Sequence, residues 1–573
     1  MDDTTQHWDV IGDPLFEIPK YASIKGEYTL YPHQSKALEK MHKNGGHLLV
    51  AHGTGLGKTL TSIAAAEDAL DGVGSFQMAG GNRIALAIVP AGLRVNFVEN
   101  VKKFTRRKAE VIDSQQELDY LLERIASNRS VPEYLVMSWA LMRNAPEKAR
   151  QLNPRMVVFD EMDTAKSPKS SNYRAARIVR QGVPGAVGLA ASFVSNSPDE
   201  IPPLLAITTD GQVSADMKLS KMITEQVDEV KTLFGKPKQL LHVNRPDIVK
   251  SMSNLIDYVD PDDVGDMPDA VTEYIPVEMS KEQHSMYNKQ VKELPKSLAA
   301  KIVTGQWFSG PKNRVIKARQ AAQSTSMKYG DNFDKVLETS PKVSRIADDV
   351  KLHLQENPRH QVVIYANFVE SGVRPIHEAL KKVGIPHSVF IGKGNEMEPG
   401  EPVSEASRNK AISDFKAGKS RVVIISGAGA KGLDLKTGSM FMAAEGHFNP
   451  EVIRQAQARI RRLGAHKDLP KKDRTVQIRR YVSVEPAPGL FTRIKRWAGN
   501  EPKHRKTTDE WMYDVARAKH FTNEGVRISL SGNRPLMPGQ QPPKQAFSGN
   551  YKYTRKWRDP KSGEWRYEYP DEL

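Results

Sequence analysis

An apolar run, His47-Leu-Leu-Val-Ala-His52, leads through the turn Gly53-Thr-Gly-Leu-Gly57 into Lys58-Thr59 and an alanine-rich segment ending at Glu67. Glycines at 55 and 57 would let backbone N–H groups converge on phosphate oxygens at the mouth of a helix. Lys58 would add a point charge, and the Thr59 hydroxyl suits a Mg2+ ion. His52 stands where the G-x-x-x-x-G-K-[ST] pattern usually has its first glycine. A chance glycine-rich turn is the competing reading, and the apolar strand before it and helical pattern after it weigh against that. Phosphoryl transfer also needs acids at the end of another strand, and Met156-Val-Val-Phe-Asp-Glu-Met-Asp163 fits. There Asp160 would hold the Mg2+ through water, and Glu161 would orient or deprotonate an attacking water.

Such a site needs parallel strands with helices between them. Ala85–Val89, Tyr134–Met137, Met156–Phe159, Gln361–Tyr365 and Arg421–Ile425 read as buried strands, with amphipathic segments between several of them. They fall into two groups, before about residue 190 and after about residue 360, which predicts two α/β lobes with parallel sheets. A largely helical, irregular junction separates them. Ser531–Asn550 is rich in Pro, Gly, Gln and Ser and reads as a linker. Beyond it, alternating aromatics flank the turn Asp559-Pro-Lys-Ser-Gly563, which predicts a small β-hairpin.

The chain has 573 residues, with 84 Lys plus Arg against 68 Asp plus Glu, a formal charge of +16. That length exceeds one core, and the positive balance favours a polyanionic partner. The charge is uneven: Lys471 to Leu573 holds 22 basic and 12 acidic side chains, ten of the sixteen excess charges. Cysteine is absent, which excludes disulfides, thiolate zinc sites, iron–sulfur clusters and a cysteine nucleophile. The apolar runs are far shorter than the roughly 18 residues of a membrane helix. No membrane association and a cytoplasmic location are therefore expected. The 15 histidines show no H-E-x-x-H spacing, so no transition-metal site is expected.

From about Leu30 to about Ala518 the chain resembles the superfamily 2 nucleic-acid-dependent ATPases, and within them the Swi/Snf-type DNA translocases. Leu30-Tyr-Pro-His-Gln34 is similar to the adenine-reading Q motif, which implies that Gln34 contacts the base. Gly55-Leu-Gly-Lys-Thr59 matches the family's phosphate loop, whose first position is commonly not glycine. Asp160-Glu-Met-Asp163 stands at the DEAH-like box, with Lys166 in the expected place after it. Ile88–Glu99 and Val136–Met142 resemble the blocks that touch the nucleic-acid backbone. Gly188–Ser197 departs from the family's TGTP-like motif, and only Ser192 and the neighbourhood of Asn196 match it.

In the second lobe, Met267–Tyr287 resembles the block that opens it in Swi/Snf-type proteins. Gly427–Leu435 looks like motif V, with Gly432 and Asp434 in place as nucleotide-site residues. Arg454–Gly464, after His447-Phe-Asn-Pro450, looks like motif VI. Arg459 and Arg462, three apart, would share a helix face and act as arginine fingers on the γ-phosphate. For Arg454 and Arg461 a surface or DNA-backbone role is expected.

The resemblance implies two RecA-like lobes with parallel sheets, helical insertions at the junction and a small β-hairpin tail. The expected divisions are an extension at 1–26, lobe 1 at 27–255, lobe 2 at 256–530, a linker at 531–550 and a basic aromatic tail at 551–573. ATP and Mg2+ are the implied cofactors, and nucleic acid, double-stranded DNA first, the implied partner. The hairpin, with Arg555, Lys556, Trp557, Arg558, Trp565 and Arg566, suits nucleic acid or a protein partner. Three activities fit: an ATP-driven translocase on duplex DNA, a strand-separating DNA or RNA helicase, and a nucleotide-gated DNA-binding subunit that has lost coupling. With no recognisable reader domain in the sequence, a compact prokaryotic or viral member, such as one from a phage or mobile element, is expected.

Overall fold

The computed structural model describes residues 29–191, 194, 197–219, 246–259, 261, 264, 267–304, 312–397, 400–427, 433–466, 469, 474–487, 505–516, 555–558 and 565–568. Its first sheet contains β1 (His47–His52), β2 (Asn82–Val89), β3 (Ala109–Ile112), β4 (Tyr134–Ser138), β5 (Pro154–Phe159), β6 (Gly185–Leu189) and β7 (Ile256–Val259). They lie in the order β3-β4-β2-β5-β6-β1-β7, every neighbour parallel. The second sheet contains β8 (Ala270–Glu278), β9 (Val362–Tyr365), β10 (Ser388–Phe390), β11 (Val422–Ile425), β12 (Met440–Ala443) and β13 (Val476–Val484). Its order is β10-β11-β9-β12-β13-β8, again all parallel. Two RecA-like α/β lobes are the result.

The apolar runs are continuous because each strand buries both faces. In β1 and β2, Leu49, Ala51, Leu86 and Ile88 enter one core, while Leu48, Val50, Ala85, Ala87 and Val89 enter the core on the opposite face. Lobe 2 repeats this alternation with Val362 and Ile364 on one face and Val363 and Tyr365 on the other. The helix after Thr507 is fastened to lobe 2 by Lys342 Nζ, 2.7 Å from Asp509 Oδ2, and by the buried Trp511, edge-on to Phe448.

All five strands read from the sequence are present, and the tail contains β14 (Arg555–Arg558) paired antiparallel with β15 (Trp565–Glu568). β7 pairs with β1 in the first sheet, so the chain passes between the sheets after Val259, a little beyond the division expected at 255. Among the described residues no helix is long and apolar enough to cross a membrane.

Parallel strands place all their C-terminal ends on one edge, which is where open α/β sheets bind ligands. The turn after β1 and the acids after β5 therefore emerge together. The segments after β11 and β12 do the same in the second lobe.

Candidate nucleotide-binding site

β1 ends at His52, and the helix Lys58–Asp71 begins six residues later, capped by Gly57 in the left-handed region. The turn's carbonyls are occupied from behind. Lys58 Nζ donates to His52 O at 2.8 Å and to Gly53 O at 3.2 Å. His33 Nε2 lies 3.0 Å from Leu56 O, and Gln34 Nε2 donates to Gly57 O at 3.2 Å. Leu463 N, from the second lobe, donates to Gly55 O at 3.5 Å. The first amides of this helix have no acceptor within it. Carbonyls engaged outward and helix-start amides available inward make an anion cradle.

Gln34, expected at a base, is buried and works on the turn. Its Oε1 accepts from Tyr31 N at 2.9 Å, and its amide nitrogen reaches Leu56 O and Gly57 O. On this geometry it fixes the cradle from behind.

β5 delivers the acids. Asp160 N donates to Ile88 O at 2.8 Å, Trp139 Nε1 donates to Asp160 O at 2.8 Å, and Glu161 N donates to Asp160 Oδ1 at 3.0 Å. Glu161 has φ +50, a left-handed conformation costing about 1–2 kcal/mol for an L-residue, which the surrounding contacts must offset. Burial and the charge of Glu161 raise the Asp160 carboxyl to about 7, and Lys58 opposes the rise. Burial lowers Lys58 to about 8 despite the attraction of Glu161 and Asp160, with Arg459 and Arg462 pushing the same way as burial. Thr59 and Asp160 each offer oxygen, the donor type that suits a hard cation, and the charge crowding at Asp160 and Glu161 is what such a cation would relieve.

The second lobe covers this site. The helix Pro450–Gln457 stops before the arginines, so Arg459 and Arg462 do not share a helix face as expected. The reason is tertiary: Leu435 N takes the Arg459 carbonyl, and Arg461 Nε donates to Pro268 O at 2.7 Å. The two arginines are consequently used differently. Arg459 is buried; burial and Arg462 lower it to about 10, against the pull of Glu161, Asp160 and Asp434. Arg462 is held within its own lobe by Leu433 O at 2.5 Å and Asp434 Oδ1 at 3.3 Å. A Cβ placed on Gly55, whose φ is +92, would lie 3.0 Å from Arg461 O and 3.2 Å from Arg462 Cα. The arginine turn and the glycine turn thus touch backbone to backbone.

Lys166 pairs with Glu200 at 3.1 Å, and Arg454 lies 3.5 Å from Glu451. Gly432, Ser192 and Asn196 lie outside the described residues. His33, Trp139 and Asp257, which meets His52 at 2.6 Å, support the site without having been singled out from sequence; only the histidine in place of a glycine at 52 hinted at one of them. Elsewhere, His353, Glu356 and His360 bring ligand atoms within 4.8 Å of one another. The two imidazoles stack 4.0 Å apart at 12°. An ion bound by imidazole lies near the ring plane, and two nearly parallel planes share no such point, so this pose does not form a metal site.

Residues 33–339 match the SNF2-related domain and residues 343–464 the helicase conserved C-terminal domain. A candidate ATP-dependent RNA helicase of Acanthamoeba polyphaga mimivirus is 23% identical over 462 residues, covering 79% of this chain and 89% of that protein. An uncharacterised ATP-dependent helicase of Bacillus subtilis is 21% identical over 470 residues, covering 79% and 77%. The Sulfolobus solfataricus SWI2/SNF2 ATPase core in complex with dsDNA aligns over 89% of this chain and 98% of its own, at 18% identity and a TM-score of 0.37.

Proposed function

The chain belongs to the SNF2-related family, and from that premise we propose that it is a motor that moves along double-stranded DNA. It is an ATP-hydrolysing enzyme of the helicase-like class. The motor reading is carried by the composite pocket, in which Arg459 of one lobe feels the charges of Asp160 and Glu161 of the other while the two turns touch at Gly55.

The proposed roles follow from position. The amides after Gly55 and Gly57, with Lys58, hold the triphosphate of ATP; Gln34 keeps that turn in shape beside the base. Thr59 and Asp160 would hold Mg2+, which when bound neutralises phosphate charge and orients the terminal group. Glu161 accepts a proton from, or orients, the attacking water. Arg459 meets charge spreading onto the terminal phosphate, and Arg462, braced by Asp434, sets the arginine turn in place. Departure of the phosphate after hydrolysis removes the anion that Lys58 and Arg459 share, so their mutual repulsion favours reopening. If each lobe grips the nucleic-acid backbone in turn, closure and reopening become steps.

Double-stranded DNA is proposed because Swi/Snf-type proteins, as a rule, move on duplexes without a strand-separating wedge. The name of the mimivirus relative favours one other reading, a helicase acting on RNA. ATP turnover measured side by side with duplex DNA, single-stranded DNA and RNA separates them. Stimulation greatest with duplex DNA is expected; stimulation confined to RNA would replace this reading with the second.

A further inference from the structure

We propose that Asp257 is a positioning residue for the triphosphate, acting through His52 on the turn that carries Lys58; the idea rests on the nucleotide reading of that turn. A histidine at 52, in place of the usual glycine, puts a bulky polar ring at the end of a central strand. That ring is fully buried. Its Nε2 lies 2.6 Å from Asp257 Oδ2, and its Nδ1 is buried with no hydrogen-bond partner among the described residues. Among the described residues Asp257 is therefore the ring's one hydrogen-bond anchor, with the His33 ring edge-on to it at 5.3 Å, and it fixes the tautomer with the proton on Nε2.

The anchor sits on β7, the last strand of lobe 1 before the chain crosses to lobe 2. His52 is opposite Val259 in the β1–β7 register, and Asp257, two residues back, projects from the same face. Two further contacts join this strand and its continuation to the turn. Gly53 N donates to Val259 O at 2.9 Å, and a Cβ on Gly53 would come within 2.3 Å of the Pro261 ring. Lys40 holds the strand from outside, its Nζ 2.5 Å from Ile256 O and 3.9 Å from Asp257 Oδ1.

The carbonyls that receive Lys58 Nζ are those of His52 and Gly53, the two residues tied to the crossing. A chain of contacts thus runs from the inter-lobe strand through Asp257 and His52 to the lysine. Removing the carboxylate leaves both nitrogens of a buried ring without a partner among the described residues. The ring must then turn or admit water, and the carbonyl it carries moves with it.

The test uses the full chain with Asp257→Ala, Asp257→Asn, His52→Ala and the Asp257→Ala/His52→Ala double variant. Affinity is read by equilibrium titration with a fluorescent ATP analogue, KM and kcat by ATP turnover, and folding by thermal melting. Asp257→Ala should weaken analogue binding by about tenfold, the lower end of what losing a hydrogen bond to a charged group costs, and raise KM more than it lowers kcat. Asp257→Asn keeps an acceptor for Nε2–H and should stay within about threefold of wild type. The double variant should be no worse than either single alanine variant, since all break one link. Additive losses, a tenfold loss in Asp257→Asn, or a lower melting temperature with unchanged affinity would overturn the proposal. A wild type that binds the analogue without turning over ATP would refute the motor and leave the effect of the pair readable in the titration. A wild type that binds no analogue would overturn both.

Discussion

Gly55→Ala tests the composite pocket most directly. The added methyl carbon would meet Arg461 O at 3.0 Å and Arg462 Cα at 3.2 Å. Both are backbone atoms of the second lobe, so no side chain can rotate away. Overpacking of this kind costs about 1–3 kcal/mol. The left-handed strain at φ +92 is present whether the lobes are together or apart and cancels from the closing equilibrium, but the collision does not. At 1.36 kcal/mol per factor of ten, the collision lowers the closed population, and with it kcat, by roughly 5- to 150-fold. On the proposed roles nucleotide affinity comes mainly from lobe 1, so it should change much less. Gly45→Ala is the control: it too adds a carbon at a positive φ, +65, with nothing within 4 Å of that carbon. Steady-state turnover at saturating ATP, with melting temperatures for both variants, gives the comparison. If Gly55→Ala turns over as fast as Gly45→Ala, the arginine turn does not sit on the glycine turn during catalysis, and the pocket is not built from two lobes.

Other expectations are separable from this one. Lys58→Ala should weaken ATP binding itself, while Glu161→Gln should bind ATP and hydrolyse it at least about a hundredfold more slowly; equal losses of affinity in both would contradict the assigned roles. Burial, with His360, Arg479 and Arg421 nearby, lowers His353 to about 3, so its share of stability is whole above its ordinary value near 6.5 and lost as the pH falls toward 3. At pH 5 the loss is about 2 kcal/mol. Urea unfolding at pH 8 and pH 5 should show it, and His353→Gln should remove that share of the difference; an unchanged difference would locate the acid sensitivity elsewhere. Truncation after Ser531 should weaken nucleic-acid binding and flatten its salt dependence while sparing ATP turnover without nucleic acid; an unaltered salt slope would take the hairpin out of the interface.

The phosphate turn was legible because its chemistry is local: glycines, a lysine and a threonine in fixed spacing do their work within one strand–turn–helix unit. The strands that could be read were runs of four or more apolar residues, as at Val422–Ile425. β6, Gly185-Ala-Val-Gly-Leu189, carries two glycines, and β3, Ala109-Glu-Val-Ile112, is interrupted by a charge, so neither has a periodic signature. The arginine helix misled for a different reason. Arg454-Gln-Ala-Gln-Ala-Arg459 is rich in good helix formers, yet the helix ends at Gln457 because Leu433, Leu435 and Pro268 offer partners that propensity cannot anticipate. Asp257 was invisible, since nothing in Leu255-Ile-Asp-Tyr-Val259 marks a residue whose partner lies 205 positions away.

That contrast bears on how the two lobes communicate. Glycines in a phosphate turn are usually explained by the anion they face, yet here Gly53 and Gly55 are each pressed by protein: Pro261 of the inter-lobe connection on one, the Arg461–Arg462 backbone on the other. A side chain at either position would hold the second lobe or its tether away from the turn. The turn proposed to shape the anion cradle therefore lies against the second lobe through the Arg461–Arg462 backbone and against its connection through the Pro261 ring. Backbone contacts of this closeness are short-ranged, so a displacement of about 1 Å already forfeits much of their attraction. Lobe closure should accordingly behave as a two-position switch, with Lys58 set on its carbonyls and Arg459 beside the acids in one position and both arrangements released together in the other.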